Sequence, residues 1–557
     1  MCRSMRGIGL ILIALLLLAD SANATQYAFE VRFTDKQATP YSLSSPLAYL
    51  SSRAMARRTI QGIAVDSTDI PVNATYINNV LTTTGGKFHE ASRWMNMVVI
   101  LLTDTSLLHN LDAVSYVKSI KLVGIYTVAL HKSSNPQTTT TKEAHKSTAW
   151  DASYYGATWQ QTAIVHGDFL HNNGLTGAGK MIAVLDAGFQ GVNTIAGFSN
   201  MRTGGRLVDT HNFTFANDNV YADDVHGEEV LSTMAGDVPN GYVGSAPGAM
   251  YALYTTEHNT GDQPLELDNL LCATERADSV GADIVTISLG YEQFDAPFAG
   301  QDFATEFDGK TTLAAKAANI ATSKGMLFVA TAGNEGITAW HNILTPGDAD
   351  SALTVGATDV SGSPAPLSGY GPNAAGQVKP DVCTIGAPAN IINSSGAYSS
   401  VSGTSFSTPQ IAGWAACLWQ AHPFATPYQL RQAIIRCASS YSSPGVQLGY
   451  GVPDFQCTQG ILDVAVTPPP FTSANWIIVA PNPFMNELNI AASPAANEQV
   501  DFVLLDMAGR TVSSFSRFLY KGYNKPFTAS IPELPSGMYI LKAVSATQQH
   551  ITKLEKL

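Results

Sequence analysis

Residues 181–357 read as short, continuously apolar runs separated by longer segments of helical period, and that alternation leaves few folds open. The runs are 181–185, 250–254, 284–288, 326–330 and 352–357, and the helix-like segments between them are 226–235, 265–280 and 311–323. A strand that is apolar at every position is covered on both faces, and helical crossovers place such strands in a parallel sheet. The expected fold class is therefore α/β, with a doubly wound parallel sheet. Ligands of such sheets bind outside the carboxyl ends of the strands. Asp186, Ser288-Leu289-Gly290 and Gly333-Asn334 all fall at such ends.

Three segments carry recognisable chemistry: MIAVLDAGF at 181–189, HGEEVLSTMAG at 226–236 and GTSFSTP at 403–409. They hold Asp186, His226 and Ser405 in that chain order. A serine hydroxyl is a poor nucleophile at neutral pH. It needs a base to take its proton, and the base needs a carboxylate to orient it. Ser405 precedes a stretch, 408–420, that reads as a helix with Pro409 in its first turn. Free N–H groups and a positive dipole at a helix start suit an oxyanion. Taken singly, each residue has a plainer reading: a helix cap for Ser405, a turn-capping carboxylate for Asp186, a turn residue for Asn334. Their joint order favours catalysis, and His211 and His258 lack any such context.

The same residues resemble those of a subtilisin-like serine protease, over roughly residues 155–465. Asp, His, Ser is the subtilisin order of a triad that unrelated folds build in other orders. The pattern H-G-x-x-V-x-S-x-x-A-G is matched at every fixed position from His226. Two departures stand out. Glu228 replaces a small hydroxyl residue and is expected to raise the pKa of the base. Ala187 replaces a hydroxyl residue after Asp186. The resemblance implies that VATAGNEG at 329–336 supplies Asn334 as the side-chain donor to the oxyanion. It also implies that Ser288, Leu289 and Gly290 pair with the substrate backbone, while Ala332 and Gly333 face them across the first specificity pocket. Nothing clearly acidic lies in 341–345, the inferred base of that pocket, which favours a bulky apolar or aromatic residue before the scissile bond. GSAPGA at 244–249 and GQVKPDV at 376–382 match family segments of structural character. No cofactor is required for this chemistry. Structural calcium is common in the family, but no EF-hand-like run of carboxylates marks a site, and no metal ligand is assigned.

The flanks extend this reading. Arg3 and Arg6, an apolar stretch at 7–18 and Ala22-Asn23-Ala24 form a signal peptide, with cutting expected after Ala24. A small α+β unit follows at 25–131, containing strand-like runs at 26–33, 97–102 and 117–128 and a basic helix at 51–66. Arg57-Arg58 in that helix reads as a solvated face rather than a cleavage site. A polar linker, 132–154, separates this unit from the peptidase at 155–465, which is the layout of a zymogen. Five cysteines remain after the signal, so at least one is unpaired within the chain. Cys383 and Cys417 read as buried small hydrophobes, and Cys437 and Cys457 are candidates to pair.

A proline-rich linker at 466–475 precedes a β-patterned domain at 476–557. Its motifs APNPFMNELNI, VLLDMAGRTV and LPSGMYILKA resemble the C-terminal sorting domain of type IX secretion in the Bacteroidetes, implying a β-sandwich and that machinery as a partner. A net charge of −13 argues against nucleic acid as a partner. The expectation is a monomeric, secreted or cell-surface serine endopeptidase acting on proteins or peptides, without a transmembrane segment in its mature form. A catalytically inactive, surface-displayed binding protein on the same scaffold is the rival reading.

Overall fold

The computed structural model describes residues 25–127, 150–465 and 475–556, apart from 215–217, 223, 259–260, 299, 301–302, 481, 485–486 and 523. The signal peptide, nearly all of the polar linker and nearly all of the proline-rich linker lie outside the described residues.

The central sheet has seven strands in the order Val382–Ile385, Leu353–Thr358, Leu327–Thr331, Ile284–Ile287, Met181–Asp186, Met250–Thr255 and Leu207–Asn212. All neighbours are parallel. Both edge strands, 207–212 and 382–385, escape the apolar-run pattern. The first is only half-buried and carries Asp209, Thr210 and His211. In strand Met181–Asp186, Met181, Ala183 and Leu185 join a core with the Leu265–Val280 and Leu313–Ser323 helices. Ile182 and Val184 join the opposite core, with the His226–Ala235 and Thr404–Ala421 helices. Side chains alternate along a strand, so a run that is apolar throughout is what two covered faces require.

The N-terminal unit is a four-stranded antiparallel sheet in the order Lys87–Ser92, Met97–Leu102, Thr25–Phe33 and Val117–Thr127, with helices Ser52–Gln61 and Ala74–Thr84. Its strand MVVILL obeys the same rule. Val98 and Ile100 pack within the unit, while Met97 and Val99 pack against the peptidase core.

The basic helix is not a solvated face. Arg57 and Arg58 are buried against the peptidase domain, where Asp278 accepts hydrogen bonds from Arg57, from Arg58 at 2.7 Å and from Arg93 at 2.8 Å. Arg53 pairs with Asp283 in the same interface. The sequence around Arg57-Arg58 shows only its own helix; Arg58 also bonds nearby Asp69, but the carboxylate the two arginines share, Asp278, lies more than two hundred residues away.

The Thr404–Ala421 helix begins earlier than its sequence pattern suggests, so Ser405 lies inside its first turn and Pro409 inside the helix. Proline has no N–H to give the carbonyl four residues back. That carbonyl belongs to Ser405, and it accepts the Ser288 hydroxyl at 2.9 Å instead. Cys437 and Cys457 form a disulfide, while Cys272, Cys383 and Cys417 are free and buried. The C-terminal domain stacks a three-stranded and a four-stranded antiparallel sheet around Trp476, Phe502 and Leu541, a β-sandwich.

Candidate active site

Asp186 closes its strand fully buried, and its Oδ1 lies 2.6 Å from His226 Nδ1 and accepts the Ala187 N–H at 2.8 Å. Oδ2 is buried without a hydrogen-bond partner among the described residues, at the place where Ala187 brings no hydroxyl. His226 opens its helix with its N–H donated to Asp224 Oδ1 at 2.8 Å. The next residue has to be glycine. A Cβ on Gly227 would lie 2.5 Å from the Gly188 carbonyl and 2.8 Å from Asp186 Cβ, so only a bare backbone lets the helix approach the strand end.

Burial works against charge on the His226 imidazole, but the neighbouring Asp186 carboxylate outweighs it, with Asp224 and Glu257 adding. The pKa is raised to about 9. Glu228 takes no part in this, contrary to expectation. It is fully buried, neither of its oxygens has a hydrogen-bond partner among the described residues, and burial pushes its own pKa to about 9, so it is neutral at pH 7.

Ser405 is almost fully buried, and the ring of its neighbour Phe406 lies 5.8 Å from the His226 ring. The Ser405 hydroxyl donates to the Ser288 carbonyl at 3.2 Å. Two reciprocal bonds therefore tie the start of the Ser405 helix to the end of strand Ile284–Ile287. Asn334 is held from the other side: its Oδ1 accepts the Thr404 N–H at 2.8 Å and lies 2.9 Å from the Thr404 hydroxyl. With the acceptor end engaged, the amide NH₂ is left as a donor pointing away from Thr404. Thr404 in turn accepts the Thr331 hydroxyl at 2.6 Å.

Strands Ile284–Ile287 and Leu327–Thr331 are paired neighbours, so Ser288-Leu289-Gly290 and Ala332-Gly333 emerge side by side from their carboxyl ends. Gly333 has φ +96°, a left-handed conformation that favours glycine. The nine residues singled out in the sequence thus lie together at the carboxyl ends of three adjacent strands and on the helix starts tied to them. Sequence reasoning missed Thr404 as the clamp on Asn334, although it stands inside the GTS motif. It also missed Glu257, whose pKa burial and the nearby Asp262 and Asp186 carboxylates raise to about 8, and which no local pattern marks.

The model of the subtilase family matches residues 177–452. The peptidase S8 propeptide domain of Bacteroidota matches 28–143, and the secretion system C-terminal sorting domain matches 479–556. Subtilisin BL of Lederbergia lenta is 30% identical over 274 residues, 49% of this chain and 88% of that one. The chain belongs to the subtilase family. This subtilase is also 29% identical to a thermostable alkaline protease of Halalkalibacterium halodurans over 278 residues, 50% of this chain and 66% of that one. The solved structure of the epidermin leader peptide processing serine protease of Staphylococcus aureus shares its fold, with a TM-score of 0.52 over 79% of this chain and 100% of that one, at 16% identity. The chain is a subtilisin-like serine endopeptidase with a propeptide. Its sorting domain marks it for secretion or cell-surface attachment. Among the described residues no helix is long and apolar enough to cross a membrane.

Proposed function

We propose that the subtilase hydrolyses peptide bonds with Ser405 as nucleophile, His226 as general base and acid, Asp186 as its orienting carboxylate, and Asn334 with the Ser405 N–H as the oxyanion donors. The observation that carries this reading is the 2.6 Å bond between His226 Nδ1 and buried Asp186. It fixes the tautomer that presents Nε2 as the proton acceptor. On substrate binding the Ser405 hydroxyl turns from the Ser288 carbonyl towards His226. It attacks the carbonyl carbon, and the oxygen becomes an oxyanion facing the Asn334 NH₂. His226 then protonates the leaving amine, and water repeats the sequence to release the acyl group. Ser288-Leu289-Gly290 offers backbone to a substrate strand, and catalysis needs no cofactor.

The N-terminal unit acts as a folding aid and inhibitor that is cut away. Its last described strand, Val117–Thr127, ends against Gln263 and His258 of the peptidase domain. The Ile125 N–H donates to Gln263 Oε1 at 2.6 Å, Gln263 Nε2 donates to the Ile125 carbonyl at 3.0 Å, and the Tyr126 ring lies 4.8 Å from that of His258. These residues follow strand Met250–Thr255, and the next N–H, that of Thr256, donates to the Asp186 carbonyl at 2.9 Å. Ile125 and Tyr126 are thereby held against the segment that follows the strand paired with that of Asp186.

The test is labelling of the secreted protein with a fluorophosphonate, beside hydrolysis of casein. The wild-type chain labels and hydrolyses. Ser405→Ala does neither, and its residual rate falls to roughly 10³–10⁴-fold over water. Turnover by Ser405→Ala at the wild-type rate would remove Ser405 from the mechanism.

A further inference from the structure

We propose that Leu344 closes the first specificity pocket, so that this protease cleaves after residues with small side chains: alanine, glycine or serine. The proposal rests on the active-site reading above and names the substrate class of that same cleft.

The segment carrying Leu344 is bonded to both walls of the pocket. The Leu344 N–H donates to the Ala332 carbonyl at 3.2 Å. The next residue, Thr345, exchanges two backbone bonds with Tyr291, at 3.0 and 3.3 Å, just beyond Gly290 on the opposite wall. Leu344 is therefore pinned where the two walls meet. Its side chain, only 5% exposed, spans the gap between them. A Cβ built on Gly290 would lie 2.8 Å from Leu344 Cβ and 2.9 Å from its Cδ1. A Cβ built on Gly333 would lie 2.5 Å from Leu344 Cγ and 2.8 Å from the same Cδ1. One methyl group thus packs against both glycines, and both walls are bare because the leucine takes the room their side chains would need. An aromatic ring entering between the walls would have to displace a buried leucine, and overfilling a packed space is unfavourable. A methyl or hydroxymethyl group needs no such movement.

The residue beyond Asn334 narrows the pocket further. Glu335 folds back so that its Oε2 lies 2.5 Å from the Gly333 Cβ position, and that oxygen and Glu292 Oε2 are both buried without hydrogen-bond partners among the described residues. An acidic side chain would meet these carboxyl groups. A basic one reaching Glu335 would compete for room with the leucine, since both lie 2.5 Å from the same Gly333 Cβ position. The pocket composition alone, which contains nothing acidic in 341–345, favoured a bulky side chain. The packing of Leu344 favours the opposite.

The experiment compares peptide p-nitroanilides that differ only in the residue before the scissile bond: alanine, phenylalanine, lysine or glutamate. It uses the secreted full-length gene product and its Leu344→Gly variant, with active sites counted by fluorophosphonate. In the parent, kcat/KM for alanine exceeds that for each of the others by at least fivefold. Leu344→Gly raises the phenylalanine-to-alanine ratio by at least tenfold, the lower end of the roughly 10- to 200-fold range that one missing group in a pocket can command. Smaller changes, or a parent that prefers phenylalanine or lysine, overturn the proposal. If Leu344→Gly does not label, the cleavage sites of the parent in denatured casein decide. A majority after alanine, glycine and serine supports the pocket closure, and any other majority refutes it. Failure of the active-site reading looks different: the parent itself would not label, or Ser405→Ala would.

Discussion

Asp278→Asn in the uncut chain tests what holds the N-terminal unit to the peptidase. Asp278 is fully buried and receives one guanidinium each from Arg57, Arg58 and Arg93, whose side chains are 3%, 0% and 9% exposed. Solvent screening therefore takes little from these pairs. Arg58 keeps two bonds to Asp69, at 2.8 and 2.9 Å, and Arg93 keeps Glu275 within reach at 3.8 Å. Arg57 keeps only backbone carbonyls, those of Ala282 and Lys324. The substitution preserves shape and leaves the buried Arg57 guanidinium without a hydrogen-bonded carboxylate, with Asp283 acting only at longer range, a loss of up to about 3–5 kcal/mol. Native-state hydrogen exchange reads such an opening free energy locally. In a Ser405→Ala background, which keeps the chain uncut if processing is autocatalytic, amides of the Ser52–Gln61 helix should exchange faster by roughly two to four orders of magnitude. Amides of strand Glu498–Asp506 in the C-terminal domain should not change. A change below threefold in the helix would show that the network is worth no more than a surface ion pair, and the reasoning would fail. A charged interface also suits two parts that must separate. Once apart, the arginines and Asp278 are hydrated, where an apolar face of the same size would not be.

Asn334→Ala should lower kcat by about 10²–10³ with little change in KM, because the amide meets charge that exists only in the transition state. A large rise in KM at unchanged kcat would make Asn334 a substrate-binding residue instead. The pH profile follows from His226. The base must be neutral to accept a proton, and its pKa is raised to about 9, so kcat/KM should rise with pH and be lost as pH falls through that value. Glu257 helps to hold the imidazolium, so Glu257→Gln should move this limb to lower pH, and a limb that stays in place or moves upward contradicts the assignment.

The segments of the peptidase that the sequence reads best are those under two constraints at once. Strand Met181–Asp186 is apolar on both faces and ends in a motif residue, and helices His226–Ala235 and Leu265–Val280 match their sequence spans. Elements under one weak constraint are illegible. Edge strand Leu207–Asn212 has one partner and half-exposed side chains, and helix Ala74–Thr84 buries only Val80 and Thr84. The residues proposed as the triad announce themselves because backbone requirements surround them: Gly227 where the helix meets the strand, and Pro409 freeing the Ser405 carbonyl for Ser288.

What sequence determines here is local: which runs are strands, and the chain order of Asp186, His226 and Ser405, the residues proposed as carboxylate, base and nucleophile. Charge state and shape were decided only by tertiary structure. Glu228 stands two positions from the base yet is neutral and silent, while Glu257 and Asp224 act on the imidazole from elsewhere in the fold. Arg57 and Arg58 look like a solvated face until Asp278 is folded against them. Leu344 is one apolar residue in a loop until Gly290 and Gly333 close on it. Each of these depends on burial and on partners distant along the chain, and a pattern of neighbours in sequence encodes neither.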